Sequence, residues 1–230
     1  MRIRSKIIGL VALSLLALLP FLGAEDPKSN VVRIYKSGSG MCSGEQVQAP
    51  SGTTYILTAG HCNILIEDGQ VNVETEDRKQ LKRRVIAEDP ASDLMLIEGL
   101  PGVAGFPIAE YNRAGDWVKT ITHGNNFNTY QTEGTIIQDL LIEVPFFYIE
   151  KEEDLKRCSG EKFRVEEFLF GSVCVFKAYE TISTALVVPG SSGGAVLNGD
   201  NELVGVVSCG FGPFSGFVTL SDIRKFLKNY

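Results

Sequence analysis

An all-β fold closed by one terminal helix is what this sequence predicts, on three observations. Short runs rich in β-branched and aromatic residues recur from Val31 onward, punctuated by turn-forming residues. Glycine is abundant, 24 of 230 residues, as suits a chain that turns often. Helical spacing of apolar residues is modest and is clearest at the C-terminus. Many short strands at this spacing imply a sandwich or a pair of barrels. The length allows one large domain or two small ones.

The first 24 residues are a different polymer. Arg2, Arg4 and Lys6 precede an uncharged run from Ile7 to Ala24, with Pro20 and Gly23-Ala24 near its end. That is the layout of a secretory signal. The run also has the length of an uncleaved membrane anchor, but its processing-type end favours cleavage after Ala24. The predicted location is therefore secreted, periplasmic or cell-surface. Without the three basic residues, 19 basic residues face 28 acidic ones, a net charge of −9. That balance speaks against nucleic acid or anionic membrane as a partner. Lys82-Arg83-Arg84 reads as a solvated strand face. Outside the cytosol cysteines tend to pair, and five of them (Cys42, Cys62, Cys158, Cys174 and Cys209) leave at least one over.

The elements follow in order. "VVRIY" (31–35) is a strand before the turn-forming "SGSG" (37–40), and "TYILTA" (54–59) is a strand that ends at Gly60. "QVNVETED" (70–77) alternates with period two, as a half-buried strand does. "DLMLIEGL" (93–100) is an apolar run closed by Pro101-Gly102. "DWVKTITHG" (116–124) is another strand, and "GTIIQDLLIEV" (134–144) is one or two more. In "LNGDNELVGVVSCG" (197–210), Asn198-Gly199 signals a hairpin turn. "EKEEDLKRCSGEK" (150–162) is dense in charge and reads as an inserted surface loop or short helix. At the end, Ile223, Phe226, Leu227 and Tyr230 fall at i, i+3, i+4 and i+7, with Ser221 as the expected N-cap.

Chemistry concentrates in three stretches. "VVPGSSGGAV" (187–196) sets two serines among glycines, which let the backbone turn tightly and converge its N–H groups on one point. A tight Gly/Ser loop without catalysis would read the same way. A serine hydroxyl needs a base, and His61 in "LTAGHC" (57–62) is the better of two histidines. His123, in "THGNN" (122–126), has no partner motif and reads as a surface or turn residue. No His/Cys set has zinc-type spacing, so no metal is expected, nor any cofactor. The base needs an orienting carboxylate. Asp93 opens an apolar strand, where a carboxylate is awkward without a buried partner. Asp89 is the alternative, but Pro90 marks a turn after it.

Taken together these motifs resemble the chymotrypsin-type (trypsin-like) serine proteases, and their order of His, Asp, Ser is that of chymotrypsin. "LTAGHC" resembles the histidine motif, "DPASDLMLI" the aspartate motif and "PGSSGG" the nucleophile loop. "LVGVVSCG" and "SGFVTL" (215–220) resemble the last two strands bordering the cleft. The likeness covers 31–230, with little match from 145 to 180. It implies two packed six-stranded antiparallel β-barrels with a C-terminal α-helix. The first barrel is expected at about 30–112, the second at about 115–220 and the helix at 221–229, all within one protease domain over 25–230. It further implies His61 as general base, Asp93 as its orienter and Ser192 as nucleophile. The backbone N–H groups of Gly190 and Ser192 would form the oxyanion hole. Leu186, near the pocket base, with Ser208, Cys209, Gly210 and Gly216, would bind substrate, a protein or peptide.

Digestive members place an aspartate before the nucleophile to receive a freed N-terminus. Here that position is Ser191, and no Ile-Val-Gly-Gly-like start is present. The motifs are closer to HtrA-like and other bacterial or viral members, here expected without a PDZ module. Cys42 and Cys62 match a disulfide the family often places behind its histidine. That leaves Cys158 with Cys174 as the second pair and Cys209 as a thiol near the cleft, read as a small buried residue. The absence of an aspartate at Leu186 implies a small or medium apolar residue at the cleaved position. An exported serine endopeptidase is the leading reading. A catalytically silent secreted binding protein on the same scaffold is the alternative.

Overall fold

The computed structural model describes residues 26–36, 41–124, 128–149, 152, 155, 158, 163–168 and 171–230. The expected signal (1–24) and nearly all of the charged insertion lie outside the described residues. Six antiparallel strands close the first barrel: β1 (Val31–Tyr35), β2 (Met41–Gln48), β3 (Thr54–Ala59), β4 (Gln70–Glu74), β5 (Gln80–Asp89) and β6 (Leu94–Glu98). Their order is β1-β2-β3-β6-β5-β4, and β1 pairs with β4 to complete the ring. β5 alternates exposed and half-buried residues along its whole length, as one strand face in water requires. Lys82 and Arg84 stand on its exposed side.

The second unit is built from β7 (Trp117–His123), β8 (Thr129–Ile149), β9 (Phe163–Phe168), β10 (Gly171–Ser183), β11 (Ala195–Leu197), β12 (Leu203–Phe211) and β13 (Phe214–Val218). Its sheet order is β13-β12-β11-β7-β8-β10-β9, and an additional β13–β10 pairing closes six of these strands into a ring. Among the described residues the seventh, β9, pairs with β10 alone. The run expected as one or two strands is one strand of 21 residues. β8 and β10 are longer than the ring requires, so their pairing continues beyond it as a ribbon that β9 widens. Cys174 on that ribbon is bonded to Cys158, and Cys42 on β2 is bonded to Cys62.

Asn198 and Gly199 lie in the hairpin connection between the antiparallel strands β11 and β12, as expected. That connection spans 198–202, because the Asn198 side chain accepts from the N–H groups of Asp200 and Glu202 and Asn201 takes the left-handed conformation. The terminal helix α1 (Leu220–Leu227) is capped by Thr219, not Ser221. Thr219 is extended, and its hydroxyl accepts from Asp222 N–H at 3.3 Å, which satisfies a first-turn donor that would otherwise be orphaned. Ile223 and Leu227 are buried and Phe226 and Tyr230 half-buried against them.

One apolar cluster joins the two barrels. Val31, Leu57, Leu94 and Leu96 of the first meet Ile121, Ala195, Leu203 and Val218 of the second, and α1 adds Ile223 and Leu227. Fully burying such a side chain stabilises by about 1.5–3 kcal/mol, so the shared core fixes how the barrels sit. The site lies where they meet. Among the described residues no helix is long and apolar enough to cross a membrane.

Candidate active site

β3 delivers His61 to the barrel junction, in a short 3-10 turn (Gly60–Leu65) that follows the strand directly. A Cβ on Gly60 would stand 2.9 Å from Leu94 N and 3.0 Å from Asp93 C. Only glycine lets this turn approach the start of β6 so closely. Asp93 closes the approach from the other side. It is 2% exposed and holds a left-handed backbone, φ 55°, a conformation that Asp and Asn tolerate better than most residues.

The Asp93 carboxylate is fully engaged. Oδ1 accepts from the His61 backbone N–H at 2.8 Å. The His61 Nδ1 atom lies 3.1 Å from Oδ1 and 3.0 Å from Oδ2. Ser208 Oγ donates to Oδ2 at 2.9 Å. Burial by itself would raise the carboxyl pKa, but the His61 charge and the hydrogen bonds from His61 and Ser208 outweigh it and hold the group below its ordinary value. The carboxylate therefore stays ionised and aimed at one imidazole nitrogen. Asp89, the alternative at the sequence level, instead accepts from Ala91 N–H in the turn before β6.

Ser192 reaches the same junction from the second barrel, and its hydroxyl donates to the Ser208 carbonyl at 3.3 Å. The loop before it is a turn in which Ser191 N–H donates to the Val188 carbonyl at 3.0 Å, with Gly190 at φ 95°. Proline second and a positive-φ glycine third make this a type II turn, which sets the orientation of the Pro189–Gly190 peptide. A cavity of about 310 Å³ opens beside it, with Val187, Pro189, Gly190, Ser192, Cys209 and Phe214 among its walls. Gly210 also lines it. Gly216 is not among its walls, and an added Cβ there would meet Cys209 Sγ at 2.9 Å.

Leu186 does not line this cavity. It is 54% exposed, and its carbonyl is held by Thr132 Oγ1 at 2.6 Å. The neighbouring Val187 turns to the cavity wall in its place. Ser208 was expected only as a substrate-strand residue, yet its side chain also orients Asp93. Cys209 is the free thiol, partly exposed. Burial first, then the negative charge of Glu180, pushes its pKa up to about 12, so it stays protonated and a poor nucleophile. His123 is not a surface residue. It is buried at the junction, and burial pushes its imidazole pKa down. Among the described residues no cluster of His, Cys, Asp and Glu could hold a metal.

Comparison with known proteins agrees with this fold. The family model of the trypsin-like peptidase domain matches residues 38–206. The chain is 26% identical over 172 residues to the "Probable periplasmic serine endoprotease DegP-like" of Pseudomonas fulva (strain 12-X), a match covering 73% of this chain and 29% of that protein. The chain thus spans less than a third of that curated relative. Among solved structures, the active form of the Rv3671c protease from M. tuberculosis superimposes with a TM-score of 0.62 at 18% identity, over 88% of this chain and 81% of that one. The serine endoprotease from Yersinia pestis does so at 0.60 and 19%, over 88% and 63%. These likenesses carry the fold. The family-model match spans most of the chain, and the chain belongs to the trypsin-like peptidase domain family.

Proposed function

We propose that this chain is an exported serine endopeptidase that cleaves proteins or peptides through His61, Asp93 and Ser192. The observation that carries the reading is the buried, ionised Asp93 bonded to both the backbone and the ring of His61. Such a carboxylate holds the imidazole in the tautomer whose far nitrogen can take a proton. His61 accepts the Ser192 hydroxyl proton as Oγ attacks the scissile carbonyl carbon. The oxyanion that forms is held by the Gly190 and Ser192 N–H groups. Collapse breaks the C–N bond, and His61 returns the proton to the leaving amine. Water then repeats the sequence on the acyl-enzyme, with the proton again passing through His61. The cavity beside Gly190 takes a small or medium apolar residue at the cleaved position. Export is supported by the two disulfides and by the periplasmic relative.

Labelling with a fluorophosphonate probe under non-reducing conditions tests this. Wild type should be labelled, and Ser192→Ala should not, with kcat lowered by about 10⁶ on the precedent of triad serines. An unlabelled wild type leaves the silent binding protein as the reading.

A further inference from the structure

Ser43 takes no part in the proton transfer just described, yet its polar atoms all point to the site. It is fully buried on β2. Its N–H donates to the Ser192 carbonyl at 2.7 Å. Its hydroxyl accepts from the His123 N–H at 2.8 Å and donates to the Gly190 carbonyl at 3.0 Å. Its own carbonyl accepts from Thr58 Oγ1 at 2.6 Å, three residues before His61. One residue thus ties together the nucleophile, the oxyanion turn, the strand that carries the base, and the end of β7.

Ser191, the last residue of the turn, ties the turn to β7. It is 1% exposed. Its hydroxyl lies 2.9 Å from Thr122 Oγ1 and accepts from the Val188 N–H at 3.2 Å. Thr122 and His123 are consecutive on β7, so one strand end anchors two hydroxyls, of which one holds the Gly190 carbonyl and the other the Val188 N–H. Both contacts on the loop are neutral. Neither needs a counter-charge delivered from elsewhere.

We propose that Ser43 and Ser191 are positioning residues that latch the loop from Val188 to Ser192 onto β7, so that the oxyanion donors and the nucleophile are set before substrate arrives. The role rests on the peptidase reading, because the donors matter only if an oxyanion forms. The latch itself is a statement about the loop and can be read without catalysis.

The experiment has two arms, on Ser43→Ala, Ser191→Ala and Thr122→Val, with wild type and Ser192→Ala as references. The first arm measures fluorophosphonate labelling as kinact and KI. Deleting an oxyanion donor outright costs about 10²–10³ in kcat, so loosening one should lower kinact at least about tenfold while KI stays within about twofold. Thr122→Val removes the β7 partner of Ser191 with little change of shape, and should act in the same direction if Ser43→Ala does not fold. The second arm follows amide hydrogen exchange. The segment 187–194 should exchange several-fold faster in the three latch variants, with β4 unchanged and Ser192→Ala like wild type. If wild type is not labelled, the peptidase reading fails and exchange alone decides the latch. Unchanged exchange across 187–194 in all three variants overturns the latch. So does labelling within twofold of wild type.

Discussion

At the scale of single residues, Asp93 shows how one side chain can meet several demands. Its backbone sits at φ 55°, its carboxylate is buried, and three donors converge on it. Replacement by alanine would mix a strained backbone with the lost charge, whereas asparagine tolerates the same φ. Asp93→Asn therefore isolates the orienting role. In triads of this kind that change lowers kcat by about 10⁴, because the imidazole is left in the wrong tautomer. Labelling of Asp93→Asn within tenfold of wild type would remove Asp93 from the mechanism. That Asp93 and His61 belong together was legible in the sequence, because an acid at the head of an apolar strand demands a partner. The role of Ser43 was not. A serine beside a glycine in a strand has no local peculiarity, and its partners lie 80 and 147 residues away.

At the scale of elements, the turn Gly60–Leu65 is held in place by a covalent bond as well as by packing. Cys62 is bonded to Cys42 on β2 across a separation of 20 residues, a Cα–Cα span of 6.2 Å. The chain-entropy model gives about 3 kcal/mol for a loop of that size. Replacing both cysteines with alanine should lower Tm by about 6–12 °C, at 2–4 °C per kcal/mol for a chain of this length, and calorimetry reads it directly. A shift under 2 °C would mean that packing alone holds the turn. Strand identities such as β1, β3 and β7 were legible from alternation and turn residues. The N-cap was misread by two residues, because Thr219 and Ser221 are chemically equivalent and only the backbone at 219 is extended. The hairpin at 198–202 was legible from Asn198-Gly199, but its length was not, because it is set by the Asn198 side chain bonding within its own turn.

At the scale of the whole molecule, the two barrels share one core, and a carboxyl lies within it. Glu45 on β2 pairs in register with Val31 and Leu57, both members of the cluster that joins the barrels. It is fully buried, and neither carboxyl oxygen has a hydrogen-bond partner among the described residues. Burial pushes its pKa well above the ordinary 4.5. The fold therefore favours the neutral acid. The stability this contributes is fully present below pH 4.5 and is lost as pH rises through the raised value. Across that window the slope is about 1.4 kcal/mol per pH unit for one proton. Glu45→Gln keeps the shape and removes the titration, so its stability relative to wild type should grow as pH rises from 5 to 8. Urea midpoints at four pH values measure this. A constant difference across the range would show that Glu45 does not titrate in the folded protein.

Period-two alternation, turn residues and three short motifs were enough to determine an all-β chain and the family it belongs to, and to single out the residues proposed to carry its chemistry. These are properties of neighbours in the chain, and local sterics and hydrophobic patterning express them directly. Tertiary structure alone decided that β10 meets β13 to close the second ring, that Val187 and not Leu186 faces the cavity, and that Ser43 of β2 and Thr122 of β7 hold the nucleophile loop. Each of these depends on contacts between segments far apart in the chain, made only once the barrels have packed against one another.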